Sequence, residues 1–158
     1  MNQETTTQLH ELSLVRVIDA TPDKLFRAWT EPELIKQWFT PKPWTVTVAQ
    51  TDLRVGGASL IVMRGPDGQE FPNRGVYLEV EKNRRLVFTD AYTEAWLPSA
   101  KPFMTGVISF DEEPGSKTRY TARVLHWNAE DCKAHEAMGF HEGWGKATDQ
   151  LEELVARL

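Results

Sequence analysis

Cysteine is all but absent from this chain: Cys132 is the only one in 158 residues. A single thiol excludes an intramolecular disulfide and any multi-cysteine metal centre. Basic residues are also short, with 18 Lys plus Arg against 23 Asp plus Glu and a net charge of -5. Binding a phosphate backbone needs a basic face, so this balance argues against a nucleic-acid partner. No apolar run approaches the roughly 18 residues of a membrane-crossing helix, so no membrane partner is expected. Residues 1–10 are polar and hold no apolar stretch of the leader type, which predicts a cytoplasmic, reducing location. Repeats, low-complexity tracts and Gly/Ser/Pro-rich linkers are missing too. The chain therefore reads as a loose tail over 1–10 and a single domain over 11–158.

Catalytic signatures are equally scarce. There is no Gly-x-Ser-x-Gly elbow, and Gly56-Gly57 has neither Walker spacing nor a helix after it, so a tight bend is its reading. His135-Glu136 and His141-Glu142 resemble half of a zinc-protease motif, but that motif needs histidines four apart on one helix face. Here they are six apart with Gly139 between them. Neither a metal nor a cofactor is expected. Cys132 stands near a helix start, where the dipole lowers a thiol pKa, but Asp131 beside it opposes thiolate formation.

What is present is clear periodicity. Residues 12–18 alternate as a first strand, with Leu12, Leu14 and Arg16 on one face. Thr21-Pro22-Asp23 marks a helix start, and Thr30 with Glu33 has capping-box spacing for a second. From residue 44 to about 124 the period is two. Turn signals at Gly56-Gly57, Gly65-Pro66-Asp67-Gly68, Lys82-Asn83 and Glu113-Pro114-Gly115 divide that stretch, and 93–102 reads as a loop. Six strands plus the first give seven, joined by short turns and hence antiparallel. Asn128 caps a helix that breaks at Gly139. After it Phe140, Trp144, Ala147, Leu151, Leu154 and Leu158 form a continuous apolar stripe. That stripe needs a large apolar partner, and the concave face of the sheet is the one available.

This order of elements resembles the helix-grip fold of the START-like superfamily. The stretches that carry the likeness are Ala20-Thr21-Pro22-Asp23-Lys24-Leu25-Phe26-Arg27-Ala28-Trp29, Glu31-Pro32-Glu33-Leu34 with Trp38, and Asp52-Leu53-Arg54-Val55-Gly56-Gly57. Gly75-Val76-Tyr77-Leu78-Glu79-Val80, Arg85-Leu86-Val87-Phe88-Thr89 and Gly139-Phe140-His141-Glu142-Gly143-Trp144 add to it. Within that superfamily the chain is similar to the branch named for the activator of heat shock protein 90 ATPase. The resemblance implies an α+β fold: a curved seven-stranded antiparallel sheet wrapped around a long C-terminal helix, with two short helices after the first strand. It also implies a hydrophobic cavity between sheet and helix.

Three functions fit these observations. The first is binding of a hydrophobic small molecule in that cavity. Its expected contacts are Trp38, Trp44, Val48, Met63, Phe88, Met104, Phe140 and Trp144, with Gln50 and Asp52 as polar partners. Gln50 and Asp52 are included because they share strand parity with Val46 and Val48, a parity that a bulge would reverse. The second is a module acting on a chaperone, a heat-shock ATPase. The third is a cyclase- or hydrolase-type enzyme using Asp52 or a histidine such as His126 for proton transfer. Gly143 and Gly145 inside the last helix cost ~1 kcal/mol each against alanine, so close packing or room for a ligand must account for them. A homodimer is the oligomer to expect, since two-fold dimers are the commonest assemblies.

Overall fold

In the computed structural model, residues 10–158 are described. His10 belongs to the first strand and not to the expected tail, the rest of which, residues 1–9, lies outside the described residues. The chain runs β1 (His10–Ile18), α1 (Pro22–Thr30), α2 (Pro32–Trp38), β2 (Thr45–Thr51), β3 (Ala58–Arg64), β4 (Glu70–Glu81) and β5 (Arg85–Thr89). It continues through β6 (Tyr92–Thr93), β7 (Leu97–Pro98), β8 (Met104–Glu113), β9 (Lys117–His126), α3 (Ala129–Ala137) and α4 (Phe140–Val155). Seven strands form one antiparallel sheet in the order β1-β9-β8-β5-β4-β3-β2. The region 93–102, expected as a loop, instead holds most of the small β6–β7 hairpin, turned by Ala95 and Trp96 at positive φ.

Local chemistry explains the helix boundaries. Pro22 and Pro32 each occupy the first helical turn, where no amide is needed. The expected Thr30–Glu33 capping box does not form. Thr30 ends α1, and its Oγ1 donates back to the Phe26 carbonyl at 2.8 Å. Asn128 Oδ1 accepts from the Asp131 amide at 2.8 Å and so caps α3. Gly139 sits at φ 95, the left-handed turn that separates α3 from α4.

The main core lies between the inner face of the sheet and the helices α1, α2 and α4. Ile108, Phe110, Tyr120 and Ala122 supply the sheet side, while Leu25, Phe26, Trp29, Leu151, Leu154 and Val155 supply the helices. Three hydrogen bonds fix α1 and its flanks to this surface. Trp29 Nε1 donates to Tyr120 Oη at 3.0 Å, Thr118 Oγ1 to the Ala20 carbonyl at 2.7 Å, and Thr51 Oγ1 to the Thr30 carbonyl at 3.0 Å. Arg16, the polar member of the inner row of β1, reaches α4. Its Nη1 meets Asp149 at 2.6 Å and Glu152 at 2.7 Å.

Two bulges change which residues face inward. In β2 the register shifts between Val46 and Val48, so Val46 pairs with Met63 but Val48 with Val62. In β4 it shifts between Tyr77 and Glu79, which puts Tyr77 and Val80, not Leu78, into the core.

Trp29 Nε1 and Tyr120 Oη are both buried, so neither has water as an alternative partner. Tyr120→Phe is therefore expected to lower unfolding free energy by about 1–3 kcal/mol in urea denaturation. In Trp29→Phe, where no donor is orphaned, the further loss from Tyr120→Phe should be markedly smaller. Equal losses in the two backgrounds would show that the hydrogen bond does not matter.

Candidate functional site

The sheet and α4 do not close on each other along their whole length. A cavity of about 590 Å³ lies between the N-terminal half of α4 and the strands β3, β4 and β5. Its wall is aromatic: Trp29 and Trp38 from α1 and α2, Trp44 before β2, Phe88 from β5, and Phe140 and Trp144 from α4. The rings brace one another. Trp29 packs on Trp38 at 5.1 Å and on Phe88 at 5.7 Å, and Phe140 stacks on Trp144 at 5.2 Å. Phe88 lies against Gly106 of β8, where any Cβ would fall 2.4 Å from the ring, so glycine is required for that ring position. Phe71 and Met138 also line the cavity but are 50% and 74% exposed, which places them at its mouth.

Gly143 settles what the two helix glycines accommodate. A Cβ there would meet nothing within 4 Å, and the residue lines the cavity. At Gly145 only Arg16 Nη2 comes near, at 3.9 Å. Close backbone packing therefore explains neither, and Gly143 opens space.

Of the ten residues expected to contact a ligand, Trp38, Trp44, Met63, Phe88, Met104, Phe140 and Trp144 surround this cavity. Val48, Gln50 and Asp52 do not. The β2 bulge turns Val46 and Ala49 inward beneath Ile35 of α2 and sends Val48 and Gln50 to the opposite face. Gln50 and Asp52 line a separate polar hollow of about 220 Å³ with Ser59, Arg74 and Glu94. Asp52 is half-exposed and its Oδ2 accepts from Arg54 Nε at 2.9 Å. Gly57 closes the bend beside it, since a Cβ would sit 1.9 Å from the Asp52 carbonyl oxygen. An acid that is solvated and paired in this way is a poor cavity base.

The expected proton-transfer histidine lies elsewhere. His126 ends β9, buried, with Nδ1 3.1 Å from the His10 carbonyl and Nε2 2.9 Å from Nδ1 of His135. His126 does not line the cavity, but His135 does, alongside Phe103 and Phe140. Burial, and then the neighbouring His126, pull the His135 pKa down to about 4. His141, on the far side of the Gly139 turn, is exposed and faces Glu136 at 3.2 Å. Burial raises the Cys132 thiol pKa, and Glu136 adds to it, so the helix start does not activate this cysteine. Among the described residues no three His, Cys, Asp or Glu side chains converge as a metal site. No helix there is long and apolar enough to cross a membrane. Periodicity alone missed Trp29, Phe71, Phe103, His135 and Gly143 as wall residues. For Gly143 the signal was its cost in mid-helix; His135 carried none.

The family model described as activator of Hsp90 ATPase homolog 1-like protein matches residues 19–156. The chain belongs to that family. A crystal structure of a protein from Nitrosomonas europaea is 42% identical, with TM-score 0.90 and 97% of each chain covered. One from Mycobacterium smegmatis is 26% identical, with TM-score 0.77 over 94% of this chain and 95% of that one. The solution structure of an AHSA1-like protein from Aeromonas hydrophila shares the fold at 22% identity, with TM-score 0.70 and 93% and 92% covered. Comparison with the curated proteins finds no match. The AHSA1-like family and the START-like helix-grip fold thus stand on the whole domain. What the cavity holds is a question for its own residues.

The lowered His135 pKa fixes a sign for this AHSA1-like chain. The unfolded chain takes up this proton near pH 6.5 and the folded one near 4, so stability is lost as pH falls through that window. The urea midpoint is expected to fall from pH 6.5 to 4, and to fall less in His135→Asn. Parallel pH profiles for the two proteins would show that His135 is not held neutral.

Proposed function

We propose that this protein binds an apolar small molecule in the cavity between α4 and the sheet. The observation that carries this reading is the open space at Gly143. A helix-interior glycine costs ~1 kcal/mol against alanine, and at Gly143 that cost coincides with an aromatic-walled space in which an added Cβ would meet nothing. Protein interiors are otherwise close-packed, and a space of this size falls within the usual range of ligand pockets. The side chains on its wall are apolar for the most part, so burial of ligand surface supplies the affinity. The carboxylate first considered for catalysis, Asp52, lies outside this cavity. A binding role needs no such group.

The test is to fill the cavity without disturbing the fold. Gly143→Leu places a side chain in the open space and also raises helix propensity. It should be no less stable than the wild type by thermal melt. The fluorescent probe N-phenyl-1-naphthylamine is expected to bind the wild type at one site and the Gly143→Leu variant at least about tenfold more weakly. Gly145→Ala gives a similar propensity gain outside the cavity and should bind the probe as the wild type does. Unchanged affinity in a folded Gly143→Leu variant would overturn this reading.

A further inference from the structure

We infer that the ligand of this cavity carries a hydroxyl group, and that His135 Nε2 is built to accept its hydrogen bond. The inference rests on the ligand-binding reading above and specifies the chemistry of that site. It starts from a chain of three groups. The His10 carbonyl can only accept, so His126 Nδ1, 3.1 Å away, must carry the proton and donate it. That leaves Nε2 of the neutral His126 ring as an acceptor. Its partner at 2.9 Å is His135 Nδ1, which must therefore be the donor. A neutral His135 with its proton on Nδ1 has a bare lone pair on Nε2, and Nε2 has no partner among the described residues. The backbone of β1 thus sets the tautomer of a side chain on α3, two hydrogen bonds away.

Its placement makes the lone pair useful. His135 lines the cavity and His126 does not, so the His135 ring stands between its partner and the enclosed space. Phe103 packs on both rings, at 5.5 Å and 5.1 Å, and Phe140 packs on His135 at 5.2 Å. Rotation of the ring is restricted by these neighbours. The nearest titratable groups on α3 do not take over the role, since Glu136 is turned to His141. Of the other polar side chains on the wall, Arg74 is exposed and can only donate, so it cannot accept a ligand O–H, while Thr148 and Asp90 are engaged by the protein itself. Thr148 Oγ1 donates to the Trp144 carbonyl at 2.7 Å, and Asp90 Oδ1 accepts the amides of Phe103 and Met104. Burial keeps His135 uncharged at neutral pH, with its pKa near 4, so the lone pair is there when a ligand arrives. Nε2 is not sealed from solvent, so water can meet it in the free protein; a ligand O–H takes over that bond, whereas a hydrocarbon covers the lone pair and leaves it unpaired.

The experiment uses two probes that differ in that one proton, 2-naphthol and 2-methoxynaphthalene. Both are titrated into the full chain at pH 7 by isothermal calorimetry. The ether is the more apolar of the two, so burial alone favours it. The expected result is the reverse: 2-naphthol binds about tenfold more tightly to the wild type. In His135→Phe, which keeps a flat ring, that preference disappears while the ether binds as before. Should His135→Phe fail to fold, imidazole nitrogen-15 spectra of the wild type serve instead. The His135 Nε2 resonance must then shift with 2-naphthol and stay put with the ether. Binding of both probes with no preference, or a preference that survives in His135→Phe, overturns the hydroxyl assignment and leaves the cavity reading intact. Binding of neither probe overturns both.

Discussion

Everything distinctive in this domain follows from how α4 is seated. Its C-terminal half is held firmly: Leu151, Leu154 and Val155 are buried against the sheet, and Asp149 and Glu152 take the Arg16 guanidinium from β1. These ion pairs are partly exposed and contribute modestly, so apolar burial dominates the anchoring. Its N-terminal half is held at Phe140, buried with Leu12 of β1 and Val124 of β9, and at Ala147 in the main core. Toward β3, β4 and β5 this half stands clear of the sheet, and the space between is the cavity. A helix held at both ends but spaced from part of the sheet needs rigid props. The braced rings of Trp29, Trp38 and Phe88 provide them from the side of the sheet and the first helices.

The props in turn depend on small groups that look incidental. Gly106 lets Phe88 lie against β8, and the Trp29–Tyr120 hydrogen bond fixes the largest ring of α1 to β9. Packing of this kind transmits position, because a close-packed interior has few alternative arrangements. A cavity survives in such an interior only where side chains are missing, and Gly139 and Gly143 are two such positions on its wall.

Periodicity was enough to find the main elements and part of the wall. Alternation in β8 and β9, the α4 stripe and the capping by Asn128 are local signals that packing reinforces, and Phe140 and Trp144 on the wall follow from the stripe. Two kinds of information were not local. The β2 bulge adds one residue between Val46 and Val48, and one residue inverts parity for everything after it, which is why Val48, Gln50 and Asp52 lie outside the cavity. A bulge is set by pairing with the neighbouring strand, so no pattern within β2 announces it. The His126–His135 contact has the same origin. The two residues belong to different elements, and their nine-residue separation matches neither strand nor helix periodicity. Only the turn from β9 into α3 brings them together.

That contact also shows why family and fold stop short of a specific function. The fold supplies the sheet, the long helix and, in this chain, the space between them, and aromatic walls give affinity with little discrimination. Discrimination needs a polar group whose direction is fixed, because a mismatched ligand then leaves it buried and unpaired. An isolated histidine would not provide this, since its two tautomers present a donor or an acceptor at the same atom. Coupling His135 through His126 to a carbonyl of β1 removes that ambiguity. The acceptor is specified by the sheet edge and not by the side chain alone. Relatives that keep the fold but lack either ring would lose the preference while keeping the cavity, so specificity can diverge in this architecture without any change in its frame.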